Sequence, residues 1–94
     1  MARDQVSVTC AAGAWTQLTN ADVSNITFQV LEGDCHIRYT TDATTPTEAG
    51  GRVYLRWAGE QNTAISSLTA LVGADRVWAK PLDGARGVVY VDHA

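Results

Sequence analysis

The residues suited to base, nucleophile or metal-ligand chemistry are few: His36, His93, Cys10 and Cys35. A general base needs a nucleophile to act on and an acid to orient it, all held on rigid neighbours. His36 alternates outward on an expected strand and His93 falls one residue from the C-terminal residue, on an expected frayed end. Neither has a companion set. The two cysteines, separated by 24 residues, form no CxxC, and the histidines form no HExxH, so no metal ligand set is expected. No phosphate-cradling glycine loop, no GxSxG turn and no paired carboxylates stand on rigid neighbours. The expectation is a chain without catalytic residues, cofactor or metal. Cys10 and Cys35 both fall on the apolar phase of their strands. A disulfide would close a loop of about 25 residues; two reduced core thiols are the alternative, and the one a chain made in a cytoplasm favours.

Aromatic residues are the next candidates. Trp15, Trp57, Trp78, Tyr39, Tyr54 and Tyr90 could stack on sugars as in carbohydrate-binding sandwiches, but their phases do not converge on one exposed face. Trp57 shares the phase of Val53 and Leu55, and Tyr39 that of Ile37, so both read as core. Tyr54 and Trp78 share a phase with arginines. They are read as half-covered, or as part of a subunit contact, where Trp, Tyr and Arg are enriched.

These side chains need strands to hold them, and the chain is patterned accordingly. In Asn25–Thr41, Ile26, Phe28 and Val30 alternate with Thr27 and Gln29. After Glu32-Gly33-Asp34, Cys35, Ile37 and Tyr39 alternate with His36, Arg38 and Thr40. Period-two alternation on both sides of a short polar break predicts a β-hairpin with one apolar face. Gln5–Cys10, Trp15–Leu18, Arg52–Trp57, Asp75–Lys80 and Arg86–Asp92 are the other strands. The last two are expected to pair through the Asp83-Gly84 turn signal. Thr19-Asn20-Ala21-Asp22 and Ala58-Gly59-Glu60-Gln61-Asn62 read as turns. In Thr63–Val72 the spacing of Ile65, Leu68 and Leu71–Val72 fits one helical face. A strand from Asn62 to Ser66 followed by a helical turn at Ser67–Leu71 is the reading preferred, with Gly73 supplying a left-handed stop. Val88 and Tyr90 on one phase and Val89 and Val91 on the other predict a central or doubly covered strand rather than an exposed edge. Strand starts near residues 5, 15, 25, 35, 52, 62, 75 and 86 then predict an all-β antiparallel sandwich or small jelly-roll-like barrel of seven or eight short strands.

The totals agree with one small domain, residues 6–94, preceded by a polar arm, Met1–Gln5. At 94 residues, folding buries about 60–65% of the extended chain's surface, enough for one core. Eleven threonines favour extended structure. A net charge of −3, with six arginines and one lysine scattered among acids, is unsuited to nucleic acid. No apolar run reaches the roughly 18–20 residues that span a bilayer, and the first ten residues lack a signal-peptide core, so a soluble, cytoplasmically made chain is expected.

At Ala14–Val30, Tyr39–Thr47 and Ala74–Lys80 the chain resembles accessory structural proteins of tailed-bacteriophage particles. The shared patterns are a Trp-Thr-x-Leu opening, an Ile-Thr-Phe-Gln strand, a Pro-Thr loop and an Arg-Val-Trp-Ala strand. The resemblance runs from about Val6 to Ala94 and designates no catalytic residue. It implies a β-sandwich on the virion surface: a capsid decoration (cement) protein binding the major capsid protein and copies of itself, as a trimer at three-fold positions. Head–tail or tail accessory proteins and a host-adhesion carbohydrate module are the alternatives. On this reading the contacts fall to the arm (Ala2, Arg3, Asp4, Gln5), to the loop Asp42–Gly51 (Asp42, Thr44, Thr45, Pro46, Thr47, Glu48), and to Tyr54 and Trp78.

Overall fold

A computed structural model describes residues 5–19, 23–82 and 84–93. Ala2, Arg3 and Asp4, and the expected turn residues Asn20, Ala21, Asp22 and Asp83, lie outside them. Eight strands form: β1 (Gln5–Cys10), β2 (Thr16–Gln17), β3 (Asn25–Glu32), β4 (Cys35–Thr40), β5 (Arg52–Tyr54), β6 (Gly59–Ala64), β7 (Arg76–Pro81) and β8 (Gly87–His93), with one helical turn, α1 (Ile65–Leu68). They make two antiparallel four-stranded sheets, ordered β1-β8-β3-β6 and β2-β7-β4-β5. The expected sandwich is the fold.

Its connectivity differs from the sequence reading. β3 and β4 are not a hairpin; they belong to different sheets, and so do β7 and β8. The physical reason lies in the alternation itself. Each run has one apolar face that needs covering, and strands in opposite sheets cover one another. Ile26, Phe28 and Val30 of β3 are buried, as are Cys35 and Ile37 of β4. Gly33, at φ 72°, turns the chain from one layer to the other. Two hydrogen bonds to Asp34 fix the link: Leu82 N–H donates to its carbonyl and Arg56 N–H to its carboxylate, both at 2.9 Å.

β8 lies between β1 and β3, the interior position its two apolar phases require, with Val89 and Val91 buried and Val88 and Tyr90 half-buried. The strand-then-helix reading of Thr63–Val72 holds, with its boundary two residues early: β6 ends at Ala64 and α1 covers Ile65–Leu68. The expected turn over Ala58–Asn62 is instead the start of β6; the chain turns at Leu55–Ala58. Gly73 does have positive φ (81°), but the helix has already ended at Thr69, in extended conformation. His93, expected on a frayed end, sits opposite Ile26 in the β8 ladder.

β5 corrects the largest misassignment. The alternation puts Val53, Leu55 and Trp57 inside. In the structure Tyr54 is buried and those three are 45%, 60% and 59% exposed. Residues directly opposite in a ladder share a face, and Tyr54 pairs with Cys35, whose thiol points into the core. The Tyr54 ring meets Phe28 edge-on at 5.0 Å, and its hydroxyl donates to Glu60 at 3.0 Å. Both parts of an amphipathic ring are therefore satisfied inside.

Cys10 and Cys35 are free thiols buried at one end of the core. Cys10 is paired with Gly87, and a β-carbon on Gly87 would stand 3.0 Å from Cys35 Sγ. Burial, and then the neighbouring Cys35, pushes the Cys10 thiol up to about 11 from its ordinary 9.0. Burial likewise raises Cys35, Tyr39 and Tyr54. All four groups hold their protons more tightly folded than unfolded, so the unfolded chain loses protons first as pH rises. For Cys10 the stabilisation is complete below pH 9.0 and disappears as pH approaches about 11. The urea midpoint is expected to fall steadily from about pH 9 to about pH 11, with Cys10→Ala reducing the slope. A flat midpoint over that range would refute the assignment.

Candidate interaction surface

The outer face of β2-β7-β4 carries Trp15, Gln17, His36, Arg38, Trp78 and Lys80, and the loop Asp42–Gly51 is fastened to it. Trp15 Nε1 donates to the Glu48 carbonyl at 2.9 Å, Lys80 Nζ to Ala49 at 3.1 Å and Arg38 to Gly50 at 2.6 Å. Gly51 N–H donates to His36 Nδ1 at 3.2 Å. His36 thus serves as an anchor for the loop. At the near end, Thr40 Oγ1 donates to the Asp42 carbonyl at 2.7 Å, and the Asp42 carboxylate accepts from Thr44 N–H at 2.9 Å. Asp42, Thr44, Thr45, Thr47 and Glu48 are exposed and Pro46 half-buried, so the loop presents side chains while its backbone is tied down.

The other sequence-derived contacts do not join it. Trp78 is 5% exposed, and its indole N–H donates to Thr40 Oγ1 at 2.8 Å. An arginine phase does not imply an open surface when a loop crosses that face. Tyr54 is in the core, as above. Neither residue is available to a subunit contact or to a glycan. Gln5 is exposed but lies in the other sheet, opposite Asp92 on β1.

Sequence reasoning missed the strip Arg52–Trp57. Arg52, Val53, Leu55, Arg56 and Trp57 are all exposed. Trp57 is the third residue of a turn closed by Ala58 N–H to the Leu55 carbonyl at 2.9 Å, and its φ is 77°. That position normally selects glycine or asparagine, and a bulky side chain there costs about 1–2 kcal/mol. The surroundings over-determine the conformation. Trp57 N–H donates to the Val30 carbonyl at 2.7 Å, and Val30 N–H donates to Ala58 at 2.9 Å. Gln29 Nε2 donates to the Trp57 carbonyl at 3.1 Å. The Arg56 guanidinium lies 4.5 Å from the indole centroid while its Nε donates to Leu31 at 3.1 Å. Beside the ring is a groove of about 370 Å³ lined by Thr27, Gln29, Glu60 and Gln61 among others.

Two arginines and no acid stand between Arg52 and Gly59 in a chain of net charge −3. Neither arginine is among the salt-bridged pairs of the described residues, which are Arg76–Asp75 and Arg86–Glu32. Exposed Trp and Arg on apolar surroundings are what binding hot spots are made of. The usable signal in the sequence was the Arg-Trp pair just before Ala58-Gly59, where a strand must stop.

Among the described residues no three His, Cys, Asp or Glu lie where they could hold a metal ion, and no helix is long and apolar enough to cross a membrane. Compared with known protein families, curated proteins and solved structures, the chain matches none.

Proposed function

We propose that this is a non-catalytic structural protein that binds a protein shell through the Arg52–Trp57 strip, with the Asp42–Glu48 loop as a second contact. The observation that carries the reading is Trp57: a large apolar ring held 59% exposed, in a backbone conformation unfavourable to it. The ring adds nothing to the buried core, and strained positions of this kind cluster at binding sites. The shell is named by the sequence resemblance: the assembled head of a tailed bacteriophage, in the host cytoplasm and then on the virion surface, with the major capsid protein as partner. Binding then stabilises the assembled head by mass action, without chemistry.

The test is cosedimentation with intact heads, together with their resistance to heat. The protein is expected to bind stoichiometrically. Trp57→Ala should weaken binding about 30-fold, the effect of losing one hot-spot residue, with an unchanged circular dichroism spectrum. Heads that neither retain the wild-type protein nor gain heat resistance would sink the reading. A carbohydrate module is the competing reading. Tyr54 and Trp78 no longer support it, and Trp57 beside the Gln29–Glu60 groove is the exposed ring left to it. Trp57-dependent retention on immobilised glycans, with no binding to heads, would decide in its favour.

A further inference from the structure

The two sheets have four edges, and three of them are protected against pairing with another chain. β2 has two residues and β5 three, too short to template a ladder. β6 carries Glu60, a register shift opposite Ile26/Phe28, and Asn62 at φ 45°, whose N–H is already given to Thr27 Oγ1 at 2.8 Å. Short strands, charges and bulges are the devices by which sheet proteins prevent edge-to-edge association.

β1 has none of them. Its six residues, Gln5 to Cys10, pair with β8 in unbroken register. The strand contains no charge, no proline and no glycine. Among the described residues its second edge has no partner strand, and Val6, on the inward phase, is 43% exposed. The strand is also self-complementary. In an antiparallel two-fold pairing centred on Ser7, Val6 meets Val8 of the second copy and Gln5 meets Thr9. Centred on Val8, Val6 meets Cys10 and Ser7 meets Thr9. Either register keeps apolar residues on the inner side and uncharged polar ones on the outer, and neither sets like charges opposite.

We propose that β1 pairs with β1 of a second copy of this chain, joining the two β1-β8-β3-β6 sheets across a two-fold axis. Such a contact is isologous and closes at two copies. It lies at the far end of the sandwich from β5 and β6, so the Arg52–Trp57 strip of each copy stays open, and the proposal stands independently of the shell-binding reading.

Light scattering coupled to size exclusion tests it across about a hundredfold dilution. The wild type is expected at twice the 10.1 kDa of one chain, dissociating on dilution. Ser7 and Thr9 are exposed, so the double variant Ser7→Lys, Thr9→Lys should fold normally. It should raise the dissociation constant about tenfold or more, since lysines then face across the axis in both registers. Trp57→Ala should remain dimeric. Amide hydrogen exchange of the unmodified protein is the second readout: β1 amides should lose protection on dilution while β3 amides keep theirs. A wild-type mass of one chain throughout, the trimer implied by the resemblance, or a dimer indifferent to the two lysines would each overturn the proposal, as would β1 protection independent of concentration.

Discussion

Gly59→Ala is expected to destabilise the protein by roughly 3 kcal/mol or more, a large part of the margin of a domain this size. Gly59 pairs with Gln29 on the edge of the β1-β8-β3-β6 sheet. A β-carbon there would collide with the Phe28 carbonyl oxygen. It would also stand 2.7 Å from Phe28 C and 2.8 Å from Gln29 Cα. Every one of these atoms is backbone, and β3 is held on its other side by β8, so it cannot retreat. The cost must then fall on β6, through loss of the β3–β6 ladder and distortion of the turn bearing Trp57. Gly84→Ala, with nothing within 4 Å, is the control and should stay within about 0.5 kcal/mol of wild type. Urea denaturation measures both. Equal midpoints for the two variants would mean that β6 does not approach β3 as described.

Phe28→Ala is expected to cost about 3–5 kcal/mol. Phe28 is 2% exposed and is the largest of the fully buried side chains, projecting from β3 towards the opposite sheet. Its removal opens a cavity at the centre of the core and takes the edge-on partner from Tyr54. Tyr54 would be free to tilt, and its hydroxyl bond to Glu60 would loosen with it. Phe28→Leu, which keeps most of the volume, should cost much less, about 1–1.5 kcal/mol. A loss below about 2 kcal/mol for the alanine variant would show that the two sheets close over the gap.

The architecture was legible in the sequence because short alternating runs announce strands wherever one face is buried. β1, β3, β4, β7 and β8 fall close to where Val6, Ile26, Ile37, Val77 and Val89 predict. Alternation reports which residues point the same way, but not which layer a strand joins. A polar break such as Glu32-Gly33-Asp34 serves a hairpin and a crossing between sheets equally well, and turn chemistry alone did not separate them. β5 failed for a different reason. Val53-Tyr54-Leu55 is apolar on both phases, and what accompanies the burial of Tyr54 lies outside that run: its register opposite Cys35, the Phe28 ring and the Glu60 carboxylate that accepts from its hydroxyl. Misplacing Tyr54 concealed the candidate site, because the same error put Trp57 inside. The loop Asp42–Glu48 could be read as surface from Pro46 and Gly50-Gly51. Its anchoring by Trp15, Arg38 and Lys80 could not, since those bonds end on backbone carbonyls.

Among the described strands, only one pair adjacent in sequence, β4 and β5, is also adjacent in a sheet. Every other ladder joins segments that the chain reaches far apart in time. β1 is the extreme case: among the described strands it pairs with β8 alone, so Gln5 must wait for Asp92. Folding dominated by such distant pairings belongs to the slow millisecond-to-second class. On a ribosome the consequence is sharper. β8 is also the strand that ties β1 to β3, so the first sheet has no centre until Gly87–His93 has left the exit tunnel. Until then β1 is an uncharged segment waiting for the strand it pairs with, and the interval before closure is when the nascent chain is most exposed to pairing with the wrong strand.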